Sequence, residues 1–335
     1  RIDQAQRPGS GDVKRRDTGD RADGGGCLIP SGTIQPSIDQ GRFHMRRDFR
    51  KIVELTDLNA SDLISILQRA TLLEKLWHER RMPQSLSGKR IALVVNDHGW
   101  RNTAAFDLCI QAMGGICVQP PLRWDTREEL DDLAAYLRNW FDAIVTRAPQ
   151  LPVLRSLSKA FDGPVINART KHNHPCETLG DLAFYFSRHG TIDGIKIAVI
   201  APKSNILGSW IEAAAVLPID VVQIYPEKWH DRSSLHASAR FSCHTDMKAI
   251  EGANMVITDC WPEDGTPDEL MPFQITSAIL DGLPNDVAFV PCPPVHRGTV
   301  VSREAMRHAA CRVIEAKSFL LHAQNAALEW VFDDV

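Results

Sequence analysis

From residue 91 to residue 292 the chain repeats one pattern: a short apolar run, a turn, then a stretch with helical spacing. IALVV (91–95), GICVQ (115–119), DAIVTR (142–147) and PVINA (164–168) form a first series. KIAVIA (196–201), VVQIY (221–225), NMVITD (254–259) and DVAFVPC (286–292) form a second, after a helical stretch near 177–189. Short, continuously apolar strands belong to parallel sheets covered on both faces, and the helical stretches between them are the crossovers that such sheets need. The pattern predicts an α/β fold with two parallel-sheet units. A helix over about 59–81, capped by Asn59 or Ser61, precedes the first series, and a final helix covers roughly 303–330.

At 335 residues the chain is long enough for two domains. Residues 1–44 are rich in Gly, Arg and Asp without a hydrophobic period, which predicts a disordered or non-native segment without function. The patterned part begins at Met45 and divides into domains 45–178 and 179–302, followed by a C-terminal helical segment at 303–335. A net charge of −4 with no basic stripe argues against nucleic acid. No apolar run approaches the roughly 18 residues of a membrane span, and the N-terminus has no secretory apolar region. The eight cysteines show no metal-binding spacing, so they are expected to be reduced thiols of a cytoplasmic protein. Neither a metal nor a cofactor is expected.

Ligands of parallel sheets bind beyond the carboxyl ends of the strands. This directs attention to 96–103, 147–150, 169–177, 202–209, 259–265 and 291–298. The first of these, NDHGWRNT, joins a strand to a helix whose first turn carries Arg101. Free backbone N–H groups and the helix dipole favour an anion there. Arg147 ends another strand, and guanidinium groups suit phosphate or carboxylate. His174 follows the fourth strand and can polarise a carbonyl or carry a proton. In the second series Asn205 opens a helix, Asp259 ends a strand and Cys292 closes the last one. Asp and Asn there suit an amino-acid head group or an ammonium. Singly, each has a plainer reading: a solvated Arg, a turn His, a capping Asp, a packed Cys. Their joint placement at successive strand ends carries the functional one.

On these residues the chain from Met45 onward resembles the aspartate and ornithine carbamoyltransferases, most of all the ornithine branch. The most specific stretch is 174–182, HPCETLGDL, close to the family's His-Pro-(Cys/Thr)-Gln followed by Leu-x-Asp-Leu. Similar pieces are 87–95, 106–107, 114–115, 165–167, 251–261, Cys292 with Pro294, and LHAQ at 321–324. The resemblance implies two parallel-sheet α/β domains of that type. The first (45–178) would bind carbamoyl phosphate and the second (179–302) an amino acid, with the helix in 303–335 returning to the first. It also implies a homotrimer with sites at subunit interfaces. The implied reaction is attack of a neutral amine on carbamoyl phosphate, with an oxyanion and a leaving phosphate to be stabilised. Arg101, Arg147, His174 and Cys292 match the catalytic positions. Gly99, Trp100, Arg101, Asn102, Thr103, Arg147, His174 and Glu177 match the carbamoyl-phosphate positions. Asn205, Asp259, Glu263, Asp264 and Pro293 match the amino-acid positions.

The departures from the family pattern fall inside the site. The usual Ser-Thr-Arg-Thr loop is Gly99-Trp100-Arg101-Asn102, with Thr103 where a further Arg stands. Each hydroxyl lost costs about 1.5–3 kcal/mol of phosphate binding; His98 or Thr103 is near enough to take over that role. Trp100 demands space where a phosphate oxygen would lie. Glu177 replaces the motif's Gln, and Glu263-Asp264-Gly265 replaces Ser-Met-Gly. Pro291-Cys292-Pro293-Pro294 replaces His-Cys-Leu-Pro, and Ser318-Phe319-Leu320 replaces Glu-Asn-Arg. Three readings follow. In the main one ornithine is carbamoylated on its side-chain amine, giving citrulline and phosphate as in arginine biosynthesis. In the second the acceptor is another amine, such as an acylated diamino acid, with Trp124 reshaping the pocket. In the third the chain is a catalytically silent paralogue acting in binding or assembly.

Overall fold

The computed structural model describes residues 49–95, 99–232 and 240–333. The segment 1–44 and His98 lie outside them.

The first sheet holds β1 (Arg90–Val95), β2 (Ile116–Val118), β3 (Ala143–Arg147) and β4 (Val165–Arg169). All are parallel, in the order β2-β1-β3-β4. Helix α1 (Ala60–His78) precedes them, its N-cap Asn59 accepting from the Asp62 N–H at 2.9 Å. The crossovers are α2 (Trp100–Ala112), α3 (Leu130–Trp140) and α4 (Leu151–Ala160). Helix α5 (Pro175–His189) then leads into the second sheet, built from β5 (Lys196–Ile200), β6 (Asp220–Ile224), β7 (Phe241–His244), β8 (Met255–Thr258) and β9 (Ala288–Pro291). These are also all parallel, in the order β7-β6-β5-β8-β9. Helices α6 (Asn205–Val216), α7 (Pro267–Leu270) and α8 (Ser277–Asp281) lie between its strands, and α9 (Val313–Phe332) ends the chain.

Helix α5 joins the halves, and every residue from Pro175 to Tyr185 in it is buried. A helix buried all round must be packed from all sides, and α5 lies against α1, α6, α9 and β4. Each fully buried Leu or Phe there contributes roughly 1.5–3 kcal/mol. A side chain at Gly180 would put its Cβ 3.1 Å from the Leu320 Cα, so glycine is what lets α5 and α9 approach. Helix α9 also packs on α1 and α2, beside the first sheet.

One boundary and one strand differ from the sequence reading. The last helix begins at Val313, not near 303, because 310–312 pairs with the edge strand β9. The Phe289 N–H donates to the Ala310 carbonyl and the Arg312 N–H to the Phe289 carbonyl. The short edge strand β7, only half-buried, gave no apolar run by which to find it.

Candidate active site

In each sheet the strand order reverses once. The reversal falls between β1 and β3 in the first and between β5 and β8 in the second. Such switch points open a crevice at the carboxyl ends of the strands. Both crevices contribute to one cavity of about 420 Å3. From the first half it is lined by Gly99, Arg101, Asn102, Arg147, Arg169, His174 and Glu177, and from the second by Asn205, Asp259, Cys292 and Pro293. Lys317 and Leu320 of α9 complete it.

A buried amide network sets His174. Asn167 and Asn173 donate to the Val53 carbonyl at 2.8 and 3.1 Å, and Asn173 also donates to Glu212 at 2.8 Å. The His174 N–H donates to the Ser209 hydroxyl of α6 at 2.8 Å, and Asn205 donates to the Thr170 carbonyl at 2.9 Å. The backbone that carries the imidazole is therefore held by both halves of the molecule. Burial, with Arg147, Arg169 and Lys317 nearby, outweighs Glu177 and lowers its pKa to about 4. At neutral pH the ring is uncharged. Among the described residues its buried Nδ1 has no hydrogen-bond partner, and Nε2 is 3.9 Å from Glu177, beyond hydrogen-bond reach. A neutral imidazole of this kind can donate one N–H to a carbonyl oxygen.

The altered loop offers few side chains to an anion. The Thr103 hydroxyl donates back to the Gly99 carbonyl at 3.2 Å. Asn102 donates to the Ala168 carbonyl at 3.1 Å and accepts from Gln324 at 3.3 Å, tying α2 to β4 and α9. Thr103 thus does not take over the role of the missing hydroxyls. Nor does Trp100 fill the pocket: it is 66 % exposed, outside the cavity lining, with the Arg101 guanidinium 4.8 Å over its ring. What the loop retains toward the cavity is Arg101, alongside Arg147 and Arg169. The last two are register partners on adjacent strands. Both line the cavity, and guanidinium groups suit an anion there.

Lys317 is the basic side chain that α9 brings to the cavity, where Leu320 also lies. It stands three residues before Leu320 on α9, on the same helical face. Its ammonium is 2.8 Å from Glu177 and 2.7 and 2.8 Å from the two Asp181 oxygens. Burial disfavours both carboxylates. For Glu177 the charge and hydrogen bond of Lys317, with the charge of Arg101, prevail and hold it ionised; for Asp181 burial prevails and raises it. Burial would lower Lys317, but its two carboxylate partners hold it charged. An ionised Glu177 only accepts hydrogen bonds, where glutamine would also donate.

On the other wall Asp259 accepts from the Cys260 N–H at 2.8 Å, and burial raises its pKa. Burial, with Glu177 and Asp259 nearby, pushes Cys292 well up, so it is a neutral thiol and no thiolate nucleophile. Glu263 and Asp264 are exposed and do not line the cavity. Asp264 instead accepts from the Trp229 indole at 3.1 Å. Trp124 donates to Thr146 at 2.8 Å and lines a neighbouring cavity of about 360 Å3 that shares Arg147 and Arg169 with the first. One further group of donors converges, Glu54, His172 and Glu212, within 4.8 Å of one another. Its carboxylates already accept from Arg155, Asn173 and the Leu55 N–H.

Sequence reasoning missed Arg169 and Lys317. The first was legible, since Arg147 and Arg169 end neighbouring apolar runs. The second was not, because only the α5–α9 packing brings it into the cavity.

Two doubly wound halves that close on a cavity rich in guanidinium groups define a two-domain α/β protein with a cleft suited to an anion. The family descriptions "Aspartate/ornithine carbamoyltransferase, carbamoyl-P binding domain" and "Asp/Orn binding domain" match residues 50–186 and 193–331. The chain belongs to the aspartate/ornithine carbamoyltransferase family and is a carbamoyltransferase. It is 27 % identical over 310 residues to the ornithine carbamoyltransferase of Chlorobaculum tepidum, covering 87 % of this chain and 91 % of that one. It is 27 % identical over 307 residues to the anabolic ornithine carbamoyltransferase of Pyrococcus furiosus, covering 85 % and 97 %. The solved Pyrococcus furiosus ornithine carbamoyltransferase superposes with a TM-score of 0.81 at 25 % identity, over 85 % of this chain and 98 % of that one. No helix among the described residues is long and apolar enough to cross a membrane.

Proposed function

We propose that the chain moves the carbamoyl group of carbamoyl phosphate to the side-chain amine of ornithine. The observation that carries this is the division of the cavity. Arg101, Arg147 and Arg169 stand on the first-sheet wall, and Asn205 and Asp259 face them from the second. Guanidinium groups hold the phosphate, and Asp259 and Asn205 hold the amino-acid head group. Neutral His174 donates to the carbamoyl oxygen as it becomes an oxyanion. The acceptor amine, deprotonated, attacks the carbonyl carbon; a C–N bond forms, the C–O bond to phosphate breaks, and the amine's proton leaves with phosphate or solvent. Cys292 packs as a thiol beside the attacking amine without entering covalent chemistry. The relatives' names support ornithine as acceptor. We also propose a homotrimer acting in arginine biosynthesis in the cytoplasm.

The continuation of the site past Arg147 and Arg169 into the cavity at Trp124 favours a second reading, a diamino acid enlarged by an acyl group. Assays with carbamoyl phosphate and a panel of ornithine, N-acylated ornithines and simple diamines decide between the two. Ornithine turnover supports the first, turnover of acylated acceptors alone supports the second, and no ureido product from any of them refutes both.

A further inference from the structure

Gly99 has φ −74° and ψ 49°, a φ open to any L-residue, so nothing in its backbone calls for glycine. Space does. A Cβ at position 99 would lie 2.3 Å from both Cζ and Nη1 of Arg147 and 2.8 Å from its Nε. The guanidinium of Arg147 therefore occupies the room that a side chain at position 99 would take. Among the described residues of the loop, the uncharged polar side chains are turned away: Thr103 to the Gly99 carbonyl, and Asn102 to Ala168 and Gln324.

We propose that Gly99 is a positioning residue that admits the Arg147 guanidinium onto the anion turn, where it takes over from the absent loop hydroxyls in gripping the donor's phosphate. The exchange is chemically reasonable, since a guanidinium gives phosphate hydrogen bonds as a hydroxyl does and adds its own charge and a two-pronged geometry. It also explains how the loop could lose hydroxyls without losing its anion. The inference rests on the anion-binding half of the proposed function and is indifferent to the acceptor.

Calorimetric titration of the full chain with inorganic phosphate, and separately with carbamoyl phosphate, tests it. Gly99→Ala should weaken both at least ten-fold while the unfolding midpoint stays within about 2 °C, because a charge-assisted bond to phosphate is lost and no core contact is. In turnover the KM for carbamoyl phosphate should rise and that for the amine should not. Gly99→Ser restores a hydroxyl and should lose less than Gly99→Ala. In an Arg147→Ala background, Gly99→Ala should add less than two-fold, since the group it displaces is gone. Unchanged phosphate affinity in Gly99→Ala, or the same ten-fold loss with Arg147 already removed, overturns the proposal. So does absence of phosphate binding by the unmodified chain. An inactive amine panel with phosphate binding intact refutes only the proposed reaction.

Discussion

Replacing Lys317 by Met removes the one ammonium that touches both Glu177 and Asp181. The lysine side chain is 12 % exposed, and the two carboxylates are 11 % and 2 % exposed. Methionine fills similar volume, so the change is chiefly electrostatic. Removing one partner of a buried pair costs about 3–5 kcal/mol, because the partner left behind is neither solvated nor neutralised. The loss has a ceiling set by protonation: giving a carboxyl of ordinary pKa a proton at pH 7 costs on the order of 3 kcal/mol, hence roughly 6 kcal/mol for the two. For a domain of this size each kcal/mol moves the midpoint by roughly 2–4 °C, so Lys317→Met should melt roughly 6–20 °C lower. The stranded carboxyls take up protons more readily folded than unfolded, so the gap between variant and parent should narrow as pH falls from 7.5 to 5. Urea denaturation at both pH values measures it. Adding Glu177→Gln and Asp181→Asn should recover most of the loss, since no buried charge then remains. A loss under about 1 kcal/mol, or a gap that ignores pH, would refute the reasoning and make Lys317 a solvated surface charge.

The remaining expectations concern the cavity and its histidines. Arg101→Ala should weaken carbamoyl phosphate at least ten-fold with little change in stability, read by calorimetry and melting; unaltered affinity would remove Arg101 from the site. Trp100→Ala should cost under about 1 kcal/mol, the worth of an exposed cation–π contact; donor binding tightened ten-fold would mean that the indole had blocked the pocket. His174 and His322 are both lowered to about 4, chiefly by burial. A histidine depressed on folding contributes stability above pH 6.5 that is lost as pH falls toward 4, on the order of 3 kcal/mol for each. Asp181, raised by burial, opposes that fall in the same window. The urea midpoint should thus decline from pH 6.5 to 4, and replacing both histidines by Gln should flatten the decline.

The fold was legible because its strands are short apolar runs at even spacing, and a strand buried on both faces admits little else. The strand ends were legible for the same reason: Arg147 and Asp259 stand directly on or after apolar runs, and parallel sheets bind ligands there. What failed was the assumption that residues adjacent in the chain share a task. Trp100, Thr103, Glu263 and Asp264 sit beside site residues but turn to solvent, to their own helix or to Trp229. Side-chain direction within a turn depends on a few dihedral angles that spacing does not encode. Lys317 was hidden for the opposite reason, since it is 140 residues from Glu177 in sequence and meets it only through packing of α9 on α5. The small residue at 99 is informative only once Arg147 is seen lying in its place.

The most direct measurement is product formation by the purified full chain with carbamoyl phosphate and ornithine at pH 8, scoring ureido product and released phosphate together. Equal amounts of citrulline and phosphate are expected, with both abolished in Arg101→Ala. Phosphate release without ureido product, or no reaction with ornithine in a chain that binds carbamoyl phosphate, would contradict ornithine as the acceptor.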